Sequence, residues 1–266
     1  MSSAQPEGDK KREQKWPDMV WIVRHGESAG NVARDAAEAG GLHMIEIEAR
    51  RDVEVPLSVQ GERQAVALGH WFGRMPADAR PEVVLTSPYL RAARTAEITL
   101  AAAGIDPKSI TYFTDERLRE KEFGVLDRLT KFGIQAKYPE QAEYRLAIGK
   151  FYHRPPGGES WCDVILRLRN VIDTITREYC GERVLIVAHS VVVLCFRYLL
   201  ERMTEGDILA IDREHDVANC SVTAYEYDAN LGKHGKLALR FFNFVAPLEA
   251  EGASVTTEKD VPVAPK

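Results

Sequence analysis

MVWIVRHGE, residues 19–27, is an apolar run that ends in two basic side chains and turns at Gly26. A short apolar run bounded by a turn predicts a buried β-strand. A strand that ends in Arg24 and His25 brings an imidazole nucleophile, a guanidinium and free backbone amides to one point. These are parts of a phosphate site, but a histidine after a strand is more often packed in the core or solvated. The stretch therefore indicates function only together with partner residues elsewhere in the chain.

The composition fits one large domain with a sizeable core. The chain has 266 residues, of which 45% are hydrophobic. Its net charge of -5 and pI near 5.9 argue against nucleic acid or a membrane surface as a partner, because either would need a basic face. The four cysteines show no CxxC spacing, which is typical of a reduced, cytoplasmic protein.

The two ends of the chain differ from the part between them. Residues 1–17 are polar and charged, so they resemble neither a secretory signal nor a membrane anchor. Residues 247–266 are rich in Glu, Val, Thr, Pro and Lys and lack helical or strand periodicity. We expect both ends to be disordered tails that flank a single domain over 18–246.

Between the tails, apolar strand-like runs alternate with helical patterns, which predicts an α/β fold with a largely parallel sheet. The fully apolar run 184–188 predicts a central strand. The alternating runs 221–227 and 237–244 predict antiparallel edge strands joined by a hairpin turn. Ser87-Pro88 predicts the N-cap and first residue of a helix that ends near Gly104. Other predicted elements are a strand over 83–86 and helices over 59–75, from Ser160 to near Gly181, and over 191–202.

Two long segments are expected to surround the carboxyl ends of the strands, where ligands bind in parallel sheets. Residues 127–158 show helical patterns broken by Pro155-Pro156-Gly157-Gly158, and we interpret them as an insertion over this edge. Residues 32–55 are longer than a minimal connection and mix arginines with acidic residues. We interpret them as a rim loop that gates or selects substrate, with an ordinary helix and solvated loop as the alternative.

Phosphoryl transfer through histidine requires a neutral imidazole, cations for the phosphate oxygens and an acid for the leaving oxygen. His25 is the candidate nucleophile, and Arg24 is its cationic neighbour. His189 ends the central strand and, protonated by a bound phosphate, becomes a second donor to its oxygens. Arg91 lies in the first turn of the helix after Ser87-Pro88, where its guanidinium can reach back over the strand ends. An exposed helical arginine is the alternative for Arg91.

The loop-like stretch LREKEFG, residues 118–124, contains candidates for the general acid. Glu120 is flanked there by cations and is the best candidate for a carboxyl that burial keeps protonated. The residues alone do not separate it from Glu116 or Glu122. Asn31 is a candidate donor to a phosphate oxygen, with an ordinary residue at a helix start as the alternative.

Several short segments, taken together and in order, resemble the histidine phosphatases, also called the phosphoglycerate-mutase-like superfamily. The segments are residues 23–31 with RHGES and Asn31, 56–65, 87–96, 118–124, 158–160 and 188–189. The resemblance covers roughly residues 20–202. It implies a three-layer α/β/α sandwich around a mostly parallel sheet with an antiparallel edge strand.

The resemblance also implies a role for each candidate residue. His25 forms the phosphohistidine, Arg24, Arg91 and His189 form the phosphate pocket, Glu120 donates the proton and Asn31 contacts the substrate. Only the resemblance selects Glu120 among the nearby glutamates. Two departures from the family pattern stand out: Ser190 replaces a common glycine after the second histidine, and Asp127-Arg128 replaces an acidic residue followed by glycine.

The family contains phosphatases and mutases, which share the phosphohistidine and differ in whether water or a second hydroxyl accepts the phosphoryl group. The mutases look as if they hold the substrate carboxylate with a tyrosine and an arginine beside the acid, where this chain has Phe123 and Lys121. No Arg-Arg pair occurs between Gly124 and Gly158. We therefore predict a phosphatase. Cations that could still bind a second anionic group are Lys131, Arg145, Lys150 and Arg154, with solvated charges as the alternative.

Two other classes of function are less well supported. An idle phospho-ligand-binding module is expected to lack one of the key residues, yet the full set is present. A metallohydrolase using His43 and Asp52 lacks any HxH or HExxH spacing. We expect no cofactor and no metal, and a small phosphorylated substrate as the ligand, with a phosphoprotein as the alternative. Nucleic acid and membrane are not expected partners, and the sequence makes no prediction about oligomeric state.

Overall fold

The computed structural model describes residues 14–257. Within them, one six-stranded sheet is formed by β1 (Met19–Arg24), β2 (Val83–Thr86), β3 (Thr111–Thr114), β4 (Arg183–Ala188), β5 (Val222–Asp228) and β6 (Lys236–Phe244). The helices of this part of the chain are α1 (Ala29–Ala39), α2 (Val59–Gly73), α3 (Leu90–Ala103), α4 (Lys131–Lys137), α5 (Pro139–Ile148), α6 (Trp161–Glu178), α7 (Ser190–Leu200), α8 (Glu205–Glu214) and α9 (Ala246–Ala250).

The spatial order of the strands is β3-β2-β4-β1-β5-β6. The neighbours among β1 to β4 pair in parallel, whereas β5 is antiparallel to β1 and β6 is antiparallel to β5. This arrangement confirms the predicted α/β fold with a mostly parallel sheet and antiparallel edge strands. It also confirms the central place of β4, which pairs with β1 on one side and β2 on the other.

Alternate residues of the strands pack against helices on opposite faces of the sheet, because successive side chains of a strand point to opposite sides. Val20 and Ile22 of β1 belong to the core cluster that contains the buried faces of α6 and α7. Trp21 and Val23 belong to the cluster formed with α2 and α3. The molecule is therefore the three-layer α/β/α sandwich that the resemblance implied.

β3 and α8 were not among the predicted elements. β3 has the sequence TYFT, and none of its side chains is buried. It is held at the sheet edge by parallel pairing with β2, which needs no apolar pattern. α8 has one buried residue, Ile208, so its contact with the core produces no periodic signal.

The predicted start of α3 is wrong. Tyr89 is the N-cap and Leu90 is the first helical residue, so the helix begins two residues later than predicted from Ser87-Pro88. The Ser87 hydroxyl lies instead 2.8 Å from Nε2 of His189 and accepts a 3.3 Å bond from the Tyr89 amide. The predicted end is confirmed, because Gly104 has a φ of 67° and caps the helix in the left-handed conformation that glycine adopts most easily.

The predicted tails differ from the structure where the structure describes them. Trp16 packs against the core cluster of α6 and α7 although it falls in the predicted tail 1–17. Residues 246–250 form α9, and Leu248 is fully buried in a small cluster with residues of α2. A five-residue helix with two adjacent buried residues, Pro247 and Leu248, gives no periodicity, which is why the sequence did not show it. The rest of the tail predictions, over 1–13 and 258–266, lies outside the described residues.

The loop after β1 lies directly on the start of α2. A Cβ on Gly26 would be 2.5 Å from the carbonyl oxygen of Gly61, and a Cβ on Gly61 would be 2.0 Å from the carbonyl oxygen of Glu27. Both positions need glycine because the two backbones approach each other closely. The Ser58 amide also donates to the Glu27 carbonyl at 2.9 Å. This contact fixes the loop that carries the candidate nucleophile.

The predicted insertion and the rim loop contact each other. α4 and α5 enclose a small cluster of their own, with Leu126, Leu129 and Ile134 buried. The Thr130 amide donates to the carbonyl oxygen of His43 in the rim loop at 3.1 Å.

The described helices include none with the length and apolarity that crossing a bilayer requires.

Candidate active site

The structure brings His25 and His189 together at one edge of the sheet. β1 and β4 pair in parallel with Arg24 opposite Ala188, so the next residue of each strand leaves the sheet at the same level. The His25 amide donates to the Ala188 carbonyl at 2.9 Å, and the two imidazole centroids are 5.1 Å apart. Both rings are buried, and His25 lines a pocket that opens to solvent.

The hydrogen bonds of His25 assign one tautomer to its ring. Nδ1 lies 2.7 Å from the carbonyl oxygen of Gly26, which can only accept, so Nδ1 carries the proton. Nε2 accepts a 3.2 Å hydrogen bond from Nε of Arg91, so it carries an electron pair and no proton. Burial, together with the charges of Arg91 and Arg24, holds the pKa of His25 well below its usual value. The ring is neutral and its Nε2 can act as a nucleophile.

His189 is oriented by the Ser87 hydroxyl, and its Nδ1 faces Glu120 without a hydrogen bond. Its Nε2 lies 2.8 Å from the Ser87 hydroxyl, and its Nδ1 lies 3.6 Å from a carboxylate oxygen of Glu120. Burial lowers the pKa of His189 well below its usual value, and the positive charges of Arg91 and Arg24 contribute to this. Without a bound anion, the ring is therefore neutral.

Arg91 occupies the first turn of α3, as the sequence predicted, and its guanidinium lies between His25 and the rim loop. Beyond the bond from Nε to His25, its Nη1 and Nη2 donate to the two carboxylate oxygens of Asp52, each at 3.0 Å. Nη1 also donates to the backbone carbonyl of Asp52 at 2.8 Å. A carboxylate thus occupies the fork that would hold phosphate oxygens. Asp52 was not predicted at this site, since no local sequence pattern marks it.

Arg24 lies beneath the pocket and is held by the segment before β5. Its side chain is 2% exposed, and Nη1 donates to the carbonyl oxygen of Val217 at 2.5 Å. The Cys220 amide donates to the Arg24 carbonyl at 3.0 Å. These long-range bonds fix a guanidinium beside His25 before any ligand arrives.

Glu120 is the glutamate of residues 118–124 whose side chain enters the pocket. One carboxylate oxygen accepts a 2.8 Å bond from the Lys121 amide, and the other faces His189. Burial raises the pKa of Glu120 to about 7, the charge of Asp52 adds to the rise, and Arg91 opposes it. By contrast, Glu116 is exposed, and Glu122 bonds to the Tyr89 hydroxyl at 3.0 Å. The carboxyl of Glu120 is thus available as either acid or base near neutral pH.

Asn31 lines the pocket and also caps α1. Its Oδ1 accepts from the amide and the hydroxyl of Ser28, at 2.9 and 3.0 Å, which completes a capping box. Asn219 donates to the same oxygen at 3.4 Å. The carbonyl end of Asn31 therefore serves the helix start, while its position at the pocket wall matches the predicted substrate contact.

The pocket mouth combines apolar surface with positive charge. Ile45 and Ile47 of the rim loop and Phe123 provide the apolar part. Arg34 of α1 and Arg128 provide the cations. The alcohol part of a phosphomonoester would contact these groups once its phosphate lay at the base.

The two departures from the family pattern both lie at the pocket. Arg128 has a φ of 59°, a left-handed conformation that costs a non-glycine residue about 1 to 2 kcal/mol. Its side chain donates to the carbonyl oxygen of Ala49 at 2.6 Å, so it ties the rim loop to the wall of the pocket. Ser190 is the first residue of α7 and needs no unusual backbone angle.

His43 and Asp52, the candidate metal ligands, do not form a common site. His43 has an exposed side chain on the rim loop, whereas Asp52 is bonded to Arg91. Over residues 14–257, no three His, Cys, Asp or Glu side chains converge in the manner of a metal site.

The three-layer fold, the paired histidines with their flanking arginines and the buried carboxyl agree with the resemblance to the histidine phosphatases. Residues 20–236 match the family described as the histidine phosphatase superfamily (branch 1), and the chain belongs to that superfamily.

Its relatives include named mutases. The chain is 27% identical over 241 residues to a 2,3-bisphosphoglycerate-dependent phosphoglycerate mutase of Gloeobacter violaceus, covering 89% of this chain and 98% of the relative. It is 30% identical over 210 residues to a protein of Salmonella paratyphi C named "Probable phosphoglycerate mutase GpmB", covering 78% of this chain and 84% of the relative. The superfamily membership is thus supported along most of both proteins.

A solved structure of a named phosphatase has the same fold. The mycobacterial glucosyl-3-phosphoglycerate phosphatase superposes with a TM-score of 0.64 at 23% identity, covering 85% of this chain and 99% of the other. Similarity at this level describes the fold and not the substrate. Both mutases and phosphatases therefore stand among the proteins that this chain resembles.

Proposed function

We propose that this protein is a phosphatase that hydrolyses phosphomonoesters through a phosphohistidine on His25. The observation that carries the proposal is the unprotonated Nε2 of His25, which points to the same space as Arg91 and the carboxyl of Glu120. Nucleophile, oxygen ligand and acid are the three parts that this chemistry requires.

In the first step, Nε2 of His25 attacks phosphorus and the bond from phosphorus to the ester oxygen breaks. Protonated Glu120 gives its proton to the leaving oxygen, so the alcohol departs neutral and Glu120 becomes a carboxylate. Arg24 and Arg91 stabilise the charge on the remaining phosphoryl oxygens. The bound dianion raises the pKa of His189, which then donates a further hydrogen bond. The proton on Nδ1 of His25 stays bonded to Gly26 throughout.

In the second step, a water molecule replaces the alcohol. The Glu120 carboxylate takes a proton from this water as its oxygen attacks phosphorus, and the bond from phosphorus to Nε2 breaks. Inorganic phosphate leaves, His25 regains its electron pair and Glu120 is protonated again. One carboxyl whose pKa is about 7 can serve both steps, since each of its protonation states is accessible near neutral pH.

The surroundings of the acid favour hydrolysis over mutase chemistry. Phe123 offers no hydroxyl, and the Lys121 ammonium lies 4.4 Å from the centroid of its ring. Lys131 stacks on Phe132 at 5.0 Å, and Arg154 is paired with Asp163. Arg128 is the insertion cation that lines the pocket formed by the described residues. The four other insertion cations considered for a second anionic group do not line it; these are Lys131, Arg145, Lys150 and Arg154.

A phosphoglycerate mutase is the second candidate. Arg34 and Arg128 at the pocket mouth could bind a carboxylate or a second phosphate, and named mutases are among the relatives. The experiment that separates the two functions compares release of inorganic phosphate from a panel of small phosphates with conversion of 3-phosphoglycerate to 2-phosphoglycerate in the presence of bisphosphoglycerate primer. Faster phosphate release supports the phosphatase. Isomerisation that outpaces phosphate release overturns it.

The contact between Asp52 and Arg91 leads to a prediction about anion affinity. A substrate phosphate must displace the Asp52 carboxylate from the guanidinium, so Asp52→Asn should tighten the binding of inorganic phosphate. The pair is partly exposed, with the Asp52 side chain 40% accessible. We therefore assign the competing interaction about 1 kcal/mol, which corresponds to a roughly fivefold lower inhibition constant. Competitive inhibition by phosphate in steady-state assays measures it.

Glu54→Gln, on the same turn of the rim loop, is the matched control, because Glu54 pairs only with Arg51 among the described residues. Its inhibition constant for phosphate should stay at the wild-type value. An unchanged or weaker phosphate affinity in Asp52→Asn would show that the carboxylate does not compete with the ligand.

A further inference from the structure

The end of the described chain packs against the back of the nucleophile loop. After α9 the chain turns, and residues 253–257, here called the C-terminal strap, lie between α2 and the segment before β5. The backbone amide of Asn219 donates to the backbone carbonyl of Thr256 at 2.9 Å. The side chain of Gln64 donates to the carbonyl oxygen of Ser254 at the same distance, 2.9 Å. These bonds attach the strap to two different parts of the fold.

The Thr256 hydroxyl connects two buried amide side chains. It donates to Oδ1 of Asn219 at 3.0 Å and accepts from Nε2 of Gln64 at 2.8 Å. Asn219 and Gln64 are each completely buried. A hydroxyl can donate on one side and accept on the other, which is what this position requires.

The same two amides hold the loop that carries His25. Nδ2 of Asn219 donates to the carbonyl oxygen of His25 at 3.0 Å. Oε1 of Gln64 accepts from the amide of Glu27 at 2.8 Å. Because the Thr256 hydroxyl uses the oxygen of Asn219 and the nitrogen of Gln64, it fixes which end of each amide faces the loop. The loop is thereby held on both sides of Gly26.

We propose that Thr256 is a positioning residue for the nucleophile and that the C-terminal strap keeps Nε2 of His25 in line for attack. This inference rests on the proposed function. Thr256 does not line the pocket, so it acts through Asn219 and Gln64 and not on the substrate. Without the hydroxyl, Oδ1 of Asn219 loses its donor, whereas Nε2 of Gln64 keeps the carbonyl oxygen of Ser254 as a partner. The Asn219 side chain is then held less firmly, and the loop between His25 and Glu27 gains freedom.

The test compares Thr256→Val, which keeps the shape and removes the hydroxyl, with Thr256→Ser, which keeps the hydroxyl. Thr256→Val should lower kcat by about tenfold, because a misplacement near 1 Å already costs about 100-fold. The inhibition constant for inorganic phosphate should change little, since Arg24 and Arg91 are untouched. Thr256→Ser should restore at least half of the wild-type kcat. Thr257→Val, at the adjacent exposed residue, is the matched control and should behave as wild type.

Two further measurements separate positioning from general stability. The rate of phosphohistidine formation in a single turnover should fall in Thr256→Val in parallel with kcat. Hydrogen exchange of the Glu27 amide should become faster in that variant and stay slow in the serine variant. Wild-type kcat in Thr256→Val, or an equal loss in the serine variant, overturns the proposal while leaving the phosphatase intact. A wild-type protein that forms no phosphohistidine overturns the proposed function and, with it, the catalytic role of the strap.

Discussion

His25→Ala is expected to abolish turnover, with a loss of about a millionfold, comparable to the removal of a catalytic nucleophile in other enzymes. No other described imidazole is placed to replace it, because His25 is the one histidine among the described residues that line the pocket. Steady-state phosphate release should fall to background. When the wild-type protein is quenched while it turns over a phosphate ester, it should yield a phosphoprotein that is labile in acid and stable in base. The alanine variant should yield none.

His234→Ala is the control for this experiment. His234 is exposed on the turn between β5 and β6, away from the pocket, so its replacement should change neither turnover nor trapping. Retention of an acid-labile phosphoprotein in His25→Ala would assign the nucleophile to another residue. Circular dichroism of the variant checks that the fold is kept, since a smaller side chain is tolerated in a site that already opens to solvent.

The sequence was sufficient for those parts of the fold that bury a continuous apolar pattern. β1 and β4 are almost fully buried and flanked by helices, so they appear as apolar runs whose ends carry Arg24, His25 and His189. Parallel pairing then brings those ends together. β3 and α9 could not be predicted in this way, because the first is an exposed edge strand and the second is a five-residue helix anchored by Pro247 and Leu248.

Within the site, the sequence located residues that begin or end regular elements and missed those supplied by loops. Arg91 was found because it follows a strand end and a helix start. Asp52 and Thr256 lie in segments with no periodicity, and each meets its partner only after the chain has folded. The choice of Glu120 among three glutamates likewise depends on which side chain enters the pocket, a matter of backbone direction that residue types do not specify.

The negative charge of Asp52, which the sequence did not place at the site, affects the pKa of Glu120. Burial raises the pKa of Glu120, the Asp52 carboxylate contributes to this rise, and the same carboxylate neutralises Arg91. When phosphate displaces Asp52, a dianion takes the place of a monoanion beside Arg91. The acid is therefore kept protonated while substrate is bound, which is the state that the first step needs.

Glu120→Gln is expected to slow phosphoryl transfer by about 100- to 10,000-fold for alkyl phosphates, the range typical of general acid catalysis. The amide has the shape of the carboxyl but cannot release a proton to the leaving oxygen. Aryl phosphates with good leaving groups need little protonation, so the rate of the first step should fall much less for these substrates. Phosphohistidine formation, followed in single turnovers with one substrate of each kind, measures the difference.

The pH profile tests the same role independently. Because the pKa of Glu120 is raised to about 7, the acid is present below that pH and is lost as the pH rises through it. For alkyl phosphates, wild-type kcat/KM should therefore fall about tenfold per unit above pH 7, and Glu120→Gln should lack this limb. The second ionisation of the substrate, near pH 6, affects both proteins equally and cancels in their ratio.

Glu116→Gln is the matched control, because Glu116 lies four residues before Glu120 and is exposed outside the pocket. It should keep both the wild-type rate and the wild-type pH limb. An equal loss for aryl and alkyl phosphates in Glu120→Gln would instead give this residue a role in holding the phosphate. A pH limb that persisted in that variant would place the titrating acid elsewhere, since an amide cannot titrate in this range.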